Sequence, residues 1–304
     1  FLGASFLTFL LNNDAGTGLL DKLMVNHKLM MAMAMPDLSF KNAGSIMVLY
    51  MPKLIVQSSR KATRLIFDTF DTLKKGDFSD EYFESCKMTF KKQLISSMEN
   101  QSERTREMAF AFSDELDWDE VVSRPEKLDG MTKEDIVALA NKYLGDNYVL
   151  ISKKKGVSAK DDLKKPDYEK VVPKNREASS AYAQKLRATA EHINVTPKAI
   201  DYEKDAQIVE ISPLVRLYAT DNPYNDIFQC TLSFGIGTRE VPALERVETY
   251  VNLLGTSGKT FEEIHSELQR MGSSIGISSG FNSFKISLSG FDRNFDETLA
   301  IASQ

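Results

Sequence analysis

The first 150 residues alternate between apolar spacing typical of helices and apolar runs typical of strands. Two short amphipathic helices are predicted near the start. Two strands, at 28–35 and 45–51, follow them and are joined by a polar turn. The first strand is interpreted as buried, with its methionines packed against core on both faces. These methionines are Met30, Met31, Met33 and Met35.

Longer helices are predicted after the two strands, and two of them carry capping residues. Residues 59–75 have one apolar stripe, and Ser79 is a candidate N-cap for the next helix. Thr132 opens a third helix, which runs to residue 144 in a capping-box pattern. A strand at 147–152 is expected to close this first unit.

The pattern changes between residues 153 and 205, where lysines, acidic residues and prolines replace the apolar periodicity. Stretches of this composition connect domains rather than fill cores. The sequence therefore predicts a first unit at 1–154, a charged linker at 155–206 and a second unit at 207–304.

The second unit has its own alternation of strands and helices. Its last predicted helix begins near Asn294, so the chain is expected to stop inside that helix and leave the unit truncated. The other predicted elements are strands at 214–219 and 228–234, helices at 244–254 and 261–271, and a hairpin of 273–280 with 283–289.

Composition excludes several classes of function. The chain has 304 residues and a net charge of −5, so its charge does not indicate a basic surface for binding nucleic acid. No apolar run reaches the length of about 18–20 residues that spans a bilayer. Cys86 and Cys230 lie in different predicted units, so a structural disulfide is not expected. Neither forms a Cys-x-x-Cys pair, so a cysteine zinc site is not expected either. Because the chain begins at Phe1, it is expected to be a fragment of a longer polypeptide.

Common catalytic signatures are weak or missing. Gly235 and Gly237 follow a strand, but Glu240 stands where a dinucleotide-binding loop has its third glycine, so a strand-end turn is the better interpretation. No Gly-x-Ser-x-Gly nucleophile motif occurs. Zinc needs three or four converging ligands, and the histidines are scattered. They are His27, His192 and His265.

The stretch 234–289 resembles the pitrilysin/insulinase family of zinc metallopeptidases, whose active unit carries His-x-x-Glu-His. Residues 234–240 resemble the family's strand-plus-turn opening, and 253–256 (Leu-Leu-Gly-Thr) match the end of the motif helix. Residues 268–286 are similar to the helix and hairpin that follow it. At the ligand and base positions this chain has Arg246, Thr249 and Tyr250. None of these can replace the zinc ligands or the glutamate base.

The first unit is similar to the other recurring unit of that family, whose catalytic form carries an arginine and a tyrosine seven residues apart. The matching register places Met24 and Met31 at those positions. Methionine supplies neither the cation nor the phenol, so the resemblance implies that this unit is also inactive.

The resemblance implies an α+β fold of the LuxS/mitochondrial-processing-peptidase type, with two homologous units of antiparallel-rich sheet covered by helices. Single-chain members have four such units. This chain matches the second unit, the linker and the start of the third, where catalytic residues are expected to be missing. The chain is therefore expected to hold no cofactor, with zinc elsewhere in the parent polypeptide.

Two functions follow from the resemblance. In the first, the chain is the non-catalytic scaffold and substrate-chamber segment of a zinc endopeptidase that hydrolyses peptides. In the alternative, it is a catalytically inactive structural or partner subunit of a peptidase complex. The expected partners are the remaining units of the same polypeptide or a homologous subunit, together with peptide substrate. Location in the bacterial envelope is favoured by the resemblance alone.

Overall fold

The computed structural model describes residues 1–40, 43–153, 156, 165–172, 175, 177–191, 196, 199, 201–251 and 253–304. By internal contacts the chain divides into two compact units. The first combines residues 1–148 with 222–304, and the second comprises 149–221. The domain boundaries predicted from the sequence are those of homologous units of a family, which internal contacts do not test. They stay predictions.

Residues 1–148 form eight helices and one hairpin in the part of the chain that the structure describes. In chain order these are α1 (Leu2–Leu11), α2 (Asp21–Val25), β1 (Met31–Phe40), β2 (Ala43–Met51), α3 (Ser59–Lys75), α4 (Asp80–Ser97), α5 (Gln101–Ser113), α6 (Trp118–Val122), α7 (Arg124–Asp129) and α8 (Lys133–Tyr143). The α1 helix is almost wholly apolar and forms the centre of a core to which α2, β1, α3, α4 and α8 contribute.

The predicted helix starts are confirmed. The side chains of Ser58 and Ser79 accept hydrogen bonds from backbone amides in the first turns of α3 and α4. Thr132 and Asp135 form a complete capping box at α8. Each contact satisfies an amide that has no partner inside the helix, and for this reason the sequence signal is reliable.

The burial predicted for the methionines of the first strand is wrong. β1 pairs antiparallel with β2, and its buried side chains are Ala32 and Ala34. The opposite face holds Met33 opposite Leu49, and these two side chains are 42% and 51% exposed. Successive side chains of a strand point to opposite faces. The small alanines fit where α1 approaches closely, and the methionines take the open face.

The prediction of a strand at 147–152 is also wrong. Residues 147–153 have no regular structure, and Val149 and Ile151 are 87% and 89% exposed. A strand needs a neighbour to pair its amides and carbonyls. Among the described residues this segment has no strand partner, so its short apolar run at 148–151 produces no strand.

Residues 222–304 form a three-stranded antiparallel sheet and three α-helices within the described residues. The elements, after α9 (Ala181–Glu191), α10 (Tyr202–Asp205), β3 (Gln207–Ser212) and β4 (Val215–Ala219) of the other unit, are β5 (Ile227–Phe234), α11 (Leu244–Val251), α12 (Phe261–Met271), β6 (Ser274–Ser279), β7 (Phe284–Phe291) and α13 (Phe295–Ala302). The strand order is β5-β7-β6. The predicted hairpin is confirmed, and α11 covers Leu244–Val251 of the helix predicted at 244–254. The chain is thus an α+β protein with small antiparallel sheets.

The α12 helix packs on α4 and joins residues 222–304 to residues 1–148. The Thr89 hydroxyl of α4 donates to the backbone carbonyl of Gln269, and Lys92 lies 3.3 Å from the Ser274 hydroxyl. Gly272 ends α12 in the left-handed conformation, against the side chains of Met88 and Phe291. These contacts make the two segments one compact unit.

The compact unit at 149–221 consists of short elements whose side chains are mostly exposed. β3 pairs antiparallel with β4, and every described side chain of β3 is exposed. Asp201 caps α10 by accepting a hydrogen bond from the Glu203 amide. The linker predicted at 155–206 stays a prediction.

Candidate functional site

The candidate site is α11 with the turn that precedes it and the loop that follows it. Arg246, Thr249 and Tyr250 occupy one stripe of α11, at the i, i+3 and i+4 spacing that places side chains together. All three are exposed, and Tyr250 is 65% exposed. No group of three or more metal-ligating side chains occurs in the described ranges. Whether this stripe is a lost catalytic motif stays a prediction.

The turn before α11 is fixed against the β6–β7 hairpin. The Thr238 amide donates to the Gly280 carbonyl at 3.0 Å, and the Arg239 amide donates to the Phe281 carbonyl at 3.1 Å. A Cβ atom on Gly237 would lie 2.4 Å from the Phe281 carbonyl oxygen. The glycine is therefore required by the close approach of two backbones, as the strand-end turn interpretation expects.

The loop after α11 is closed in a similar way. The Thr256 amide donates to the Lys259 carbonyl at 2.8 Å, and a Cβ on Gly255 would lie 2.1 Å from that same oxygen. Thr260 then opens α12 with a capping box to Glu263. Gly255 is thus a steric requirement of the tight loop between the two helices, to which Thr256 contributes its backbone amide.

Met24 and Met31 do not form a polar site. Met24, on α2, is half-buried against the core. Met31 begins β1 and pairs with Met51 of β2. The structure places these two residues on different elements, and the inactivity of this unit stays a prediction based on residue types.

Two histidines are placed by the structure, and the third, His192, lies outside the described residues. His27 follows α2 and is exposed. His265 is half-buried on α12 with its ring centroid 4.1 Å from that of Phe261. Burial lowers the pKa of His265, and a hydrogen bond to the Ala15 backbone opposes that shift. His265 therefore packs as a neutral ring between α12 and the loop after α1.

A buried polar network that the sequence analysis missed joins the loop after α1 to α4 and α12. The Asp21 carboxylate accepts hydrogen bonds from the Asn12 amide group at 2.6 Å and from the Asn13 and Gly18 backbone amides at 3.0 and 2.9 Å. Burial raises the pKa of Asp21, although these three donors act in the opposite direction. A single acidic residue in an apolar stretch was the only sequence signal for it.

The other end of this network lies under α12. Gln269 is 2% exposed, and its amide group donates to the Cys86 sulfur at 3.5 Å. Burial raises the pKa of the Cys86 thiol to about 12. Burial also raises the pKa of Tyr82, whose hydroxyl donates to the Leu10 carbonyl at 2.7 Å. The thiol is therefore protonated and unreactive, and the network has a structural role.

A cleft of about 540 Å³ opens beside this network, between α2, α4 and α12. Its walls carry Lys22 and Arg270 together with several carboxylates, among them Glu81, Glu262 and Glu267. Glu267 is already paired with Lys259. The mixed charges give the cleft no single electrostatic preference.

Comparison with known proteins adds little to this picture. No protein-family model matches the sequence, and no curated protein matches it. The crystal structure of the periplasmic protease PqqL from Escherichia coli aligns with a TM-score of 0.37 and 11% sequence identity, over 98% of this chain and 36% of that one. The chain therefore spans about a third of the length of that protein. A likeness of this size establishes neither a family nor an activity for this chain.

Within the described residues, no helix is both long enough and apolar enough to cross a bilayer.

Proposed function

We propose that this chain is a non-catalytic scaffold segment of a zinc endopeptidase of the pitrilysin/insulinase type. The observation that carries the proposal is the order of elements from β5 to β7. A strand, a glycine turn, a helix at the motif position, a Gly-Thr loop, a capped helix and a hairpin follow in the order that the resemblance implies.

The geometry of α11 supports inactivity of this segment. Arg246 and Tyr250 stand on one helix face at the spacing of the two histidines of His-x-x-Glu-His, and Thr249 stands at the position of the general base. A guanidinium stays protonated and does not bind zinc, and a threonine hydroxyl cannot deprotonate a zinc-bound water. Zinc and its activated water belong, in this proposal, to a unit outside these 304 residues.

The helix face itself can be tested by restoring its ligands. The double variant Arg246→His/Tyr250→His places two imidazoles one turn apart, a spacing at which two histidines bind zinc from one face. We expect it to bind zinc in the micromolar range, measured by competition with a colorimetric chelator. The wild-type chain is expected to retain close to no zinc after brief exposure at neutral pH.

A matched control uses the same number of histidines in the wrong places. Arg246→His/Val247→His puts adjacent side chains on different parts of the helix surface, so its zinc affinity is expected to stay at the wild-type level. Tight binding of one zinc by the wild-type chain would refute the scaffold proposal.

The sequence of the parent polypeptide separates the two candidate functions. A His-x-x-Glu-His motif outside this chain supports the peptidase. Its absence, together with co-purification of an active homologue, supports the inactive partner subunit. Location in the envelope also remains a proposal, to be tested by fractionation of cells that produce the parent.

A further inference from the structure

One backbone amide on the outer edge of β6, that of Ser279, is covered by a side chain of α11. β6 is an edge strand of the described sheet, because it pairs with β7 on one side only. At the end of β6 the Gly280 amide points inward and donates to the Ser283 carbonyl at 2.7 Å. Consecutive amides of a strand point in opposite directions across the sheet. The Ser279 amide must therefore point outward, away from β7.

The Glu248 carboxylate of α11 occupies that outward position. Its Oε2 accepts a hydrogen bond from the Ser279 amide at 2.8 Å and a second from the Ser279 hydroxyl at 2.6 Å. These two bonds lower the pKa of Glu248, so the carboxylate is ionised at neutral pH. An arriving strand would have to displace a charged acceptor before it could pair with Ser279.

We propose that Glu248 is a lock on the edge of β6, which closes this edge to addition of an extended peptide strand. Strand addition uses outward amides and carbonyls of an edge, and proteins close such edges with charged side chains and covering elements. The lock consists of one helix residue and one strand residue. It holds whether or not the parent polypeptide is a peptidase, so it goes beyond the proposed function.

The test uses the 304-residue chain and a labelled peptide. The peptide carries the β7 sequence, residues 284–291, between flanking lysines, and its binding is followed by fluorescence anisotropy. Since β7 already pairs antiparallel with β6, its sequence is compatible with strand pairing. Glu248→Ala is expected to bind it about tenfold more tightly than wild type, the equivalent of one recovered hydrogen bond.

Two control variants isolate the lock. Glu248→Gln keeps a carbonyl oxygen that can accept from the Ser279 amide, so its affinity is expected to be close to that of wild type. Glu245→Ala removes an exposed carboxylate from the same helix and is expected to have no effect. Equal binding by wild type and Glu248→Ala, or binding by neither, overturns the proposal.

Hydrogen exchange of the wild-type chain decides the matter even if Glu248→Ala does not fold. A closed edge protects the Ser279 amide, and exchange at the rate of an unstructured chain overturns the lock. This outcome is independent of the zinc experiments, because peptide pairing at β6 and metal binding on α11 are separate measurements.

Discussion

The Thr17 hydroxyl donates a hydrogen bond to Oε1 of Gln269 at 2.7 Å, and both side chains are buried. This bond joins the loop after α1 to α12, across most of the sequence. Since Gln269 also donates to Cys86 of α4, one amide side chain links three elements. This contact is one of several polar contacts that hold residues 222–304 on residues 1–148.

Gln269→Leu is expected to destabilise the unit formed by 1–148 and 222–304 by about 1–3 kcal/mol, because it removes the buried hydrogen bonds that Gln269 makes with Thr17 and Cys86. Denaturant unfolding followed by circular dichroism measures the change. Gln229→Leu, on an exposed position of β5, is the matched control and is expected to stay within about 0.5 kcal/mol of wild type. An equally small effect of Gln269→Leu would contradict the structural role of the network.

Stability is expected to fall with rising pH in the alkaline range. Burial raises the pKa of Cys86 from 9.0 to about 12, so the folded state holds a proton that the unfolded chain loses above pH 9. The stabilisation is complete below pH 9 and is lost between pH 9 and 12, by at most about 1.4 kcal/mol per pH unit. Unfolding free energies at several pH values measure the slope.

Two variants separate the groups that titrate in this window. Cys86→Ala removes the thiol contribution, and Tyr82→Phe removes that of the phenol, whose pKa is also raised by burial. If Cys86→Ala keeps the full alkaline slope, the thiol is not its source. In the folded wild-type chain, thiol reagents are expected to modify the half-buried Cys230 and to reach Cys86 only on unfolding.

Two glycines of one turn make a matched steric test. A Cβ on Gly237 would lie 2.4 Å from the Phe281 carbonyl oxygen, whereas a Cβ on Gly235 would meet nothing within 4 Å. Gly237→Ala is expected to destabilise the unit by about 1–3 kcal/mol through the forced backbone shift, and Gly235→Ala by less than about 0.5 kcal/mol. Thermal unfolding compares them, and similar melting temperatures would show that the turn is not held against the hairpin.

Removal of the N-cap of α12 is expected to have a smaller effect on the free energy of unfolding. Thr260→Ala removes the side-chain acceptor for the Glu263 amide, and such losses cost about 1 kcal/mol. Thr249→Ala, at an exposed position of α11, serves as the comparison and should change stability by less than about 0.5 kcal/mol. Chemical denaturation resolves a difference of this size, and equal stabilities would show that the cap does not hold α12.

Local signals in the sequence predicted the local structure. Ser79 and Thr132 opened helices because a capping side chain acts on amides within three residues of itself. The β6–β7 hairpin followed from two alternating runs around a short turn. The segment that resembles the zinc motif was predicted to be helical, and it lies on α11.

The signals failed where the outcome depends on distant partners. Residues 148–151 form a short apolar run of the kind found in strands, but this segment has no neighbouring strand in the described structure. In β1 both alanine and methionine are apolar, and only the approach of α1 decides that Ala32 and Ala34 face inward. The bond between Thr17 and Gln269 has no sequence signature, since each residue type is common on surfaces.

The outward methionine face of β1 and β2 has a chemical consequence. Met33 and Met47 are 42% and 54% exposed, so peroxide reaches their thioethers without any unfolding. The sulfoxides that form are polar, and in the described structure they would stand in water rather than among the side chains behind Ala32 and Ala34. Oxidative damage at this hairpin therefore falls on its surface, and a methionine sulfoxide reductase could reverse it on the folded protein.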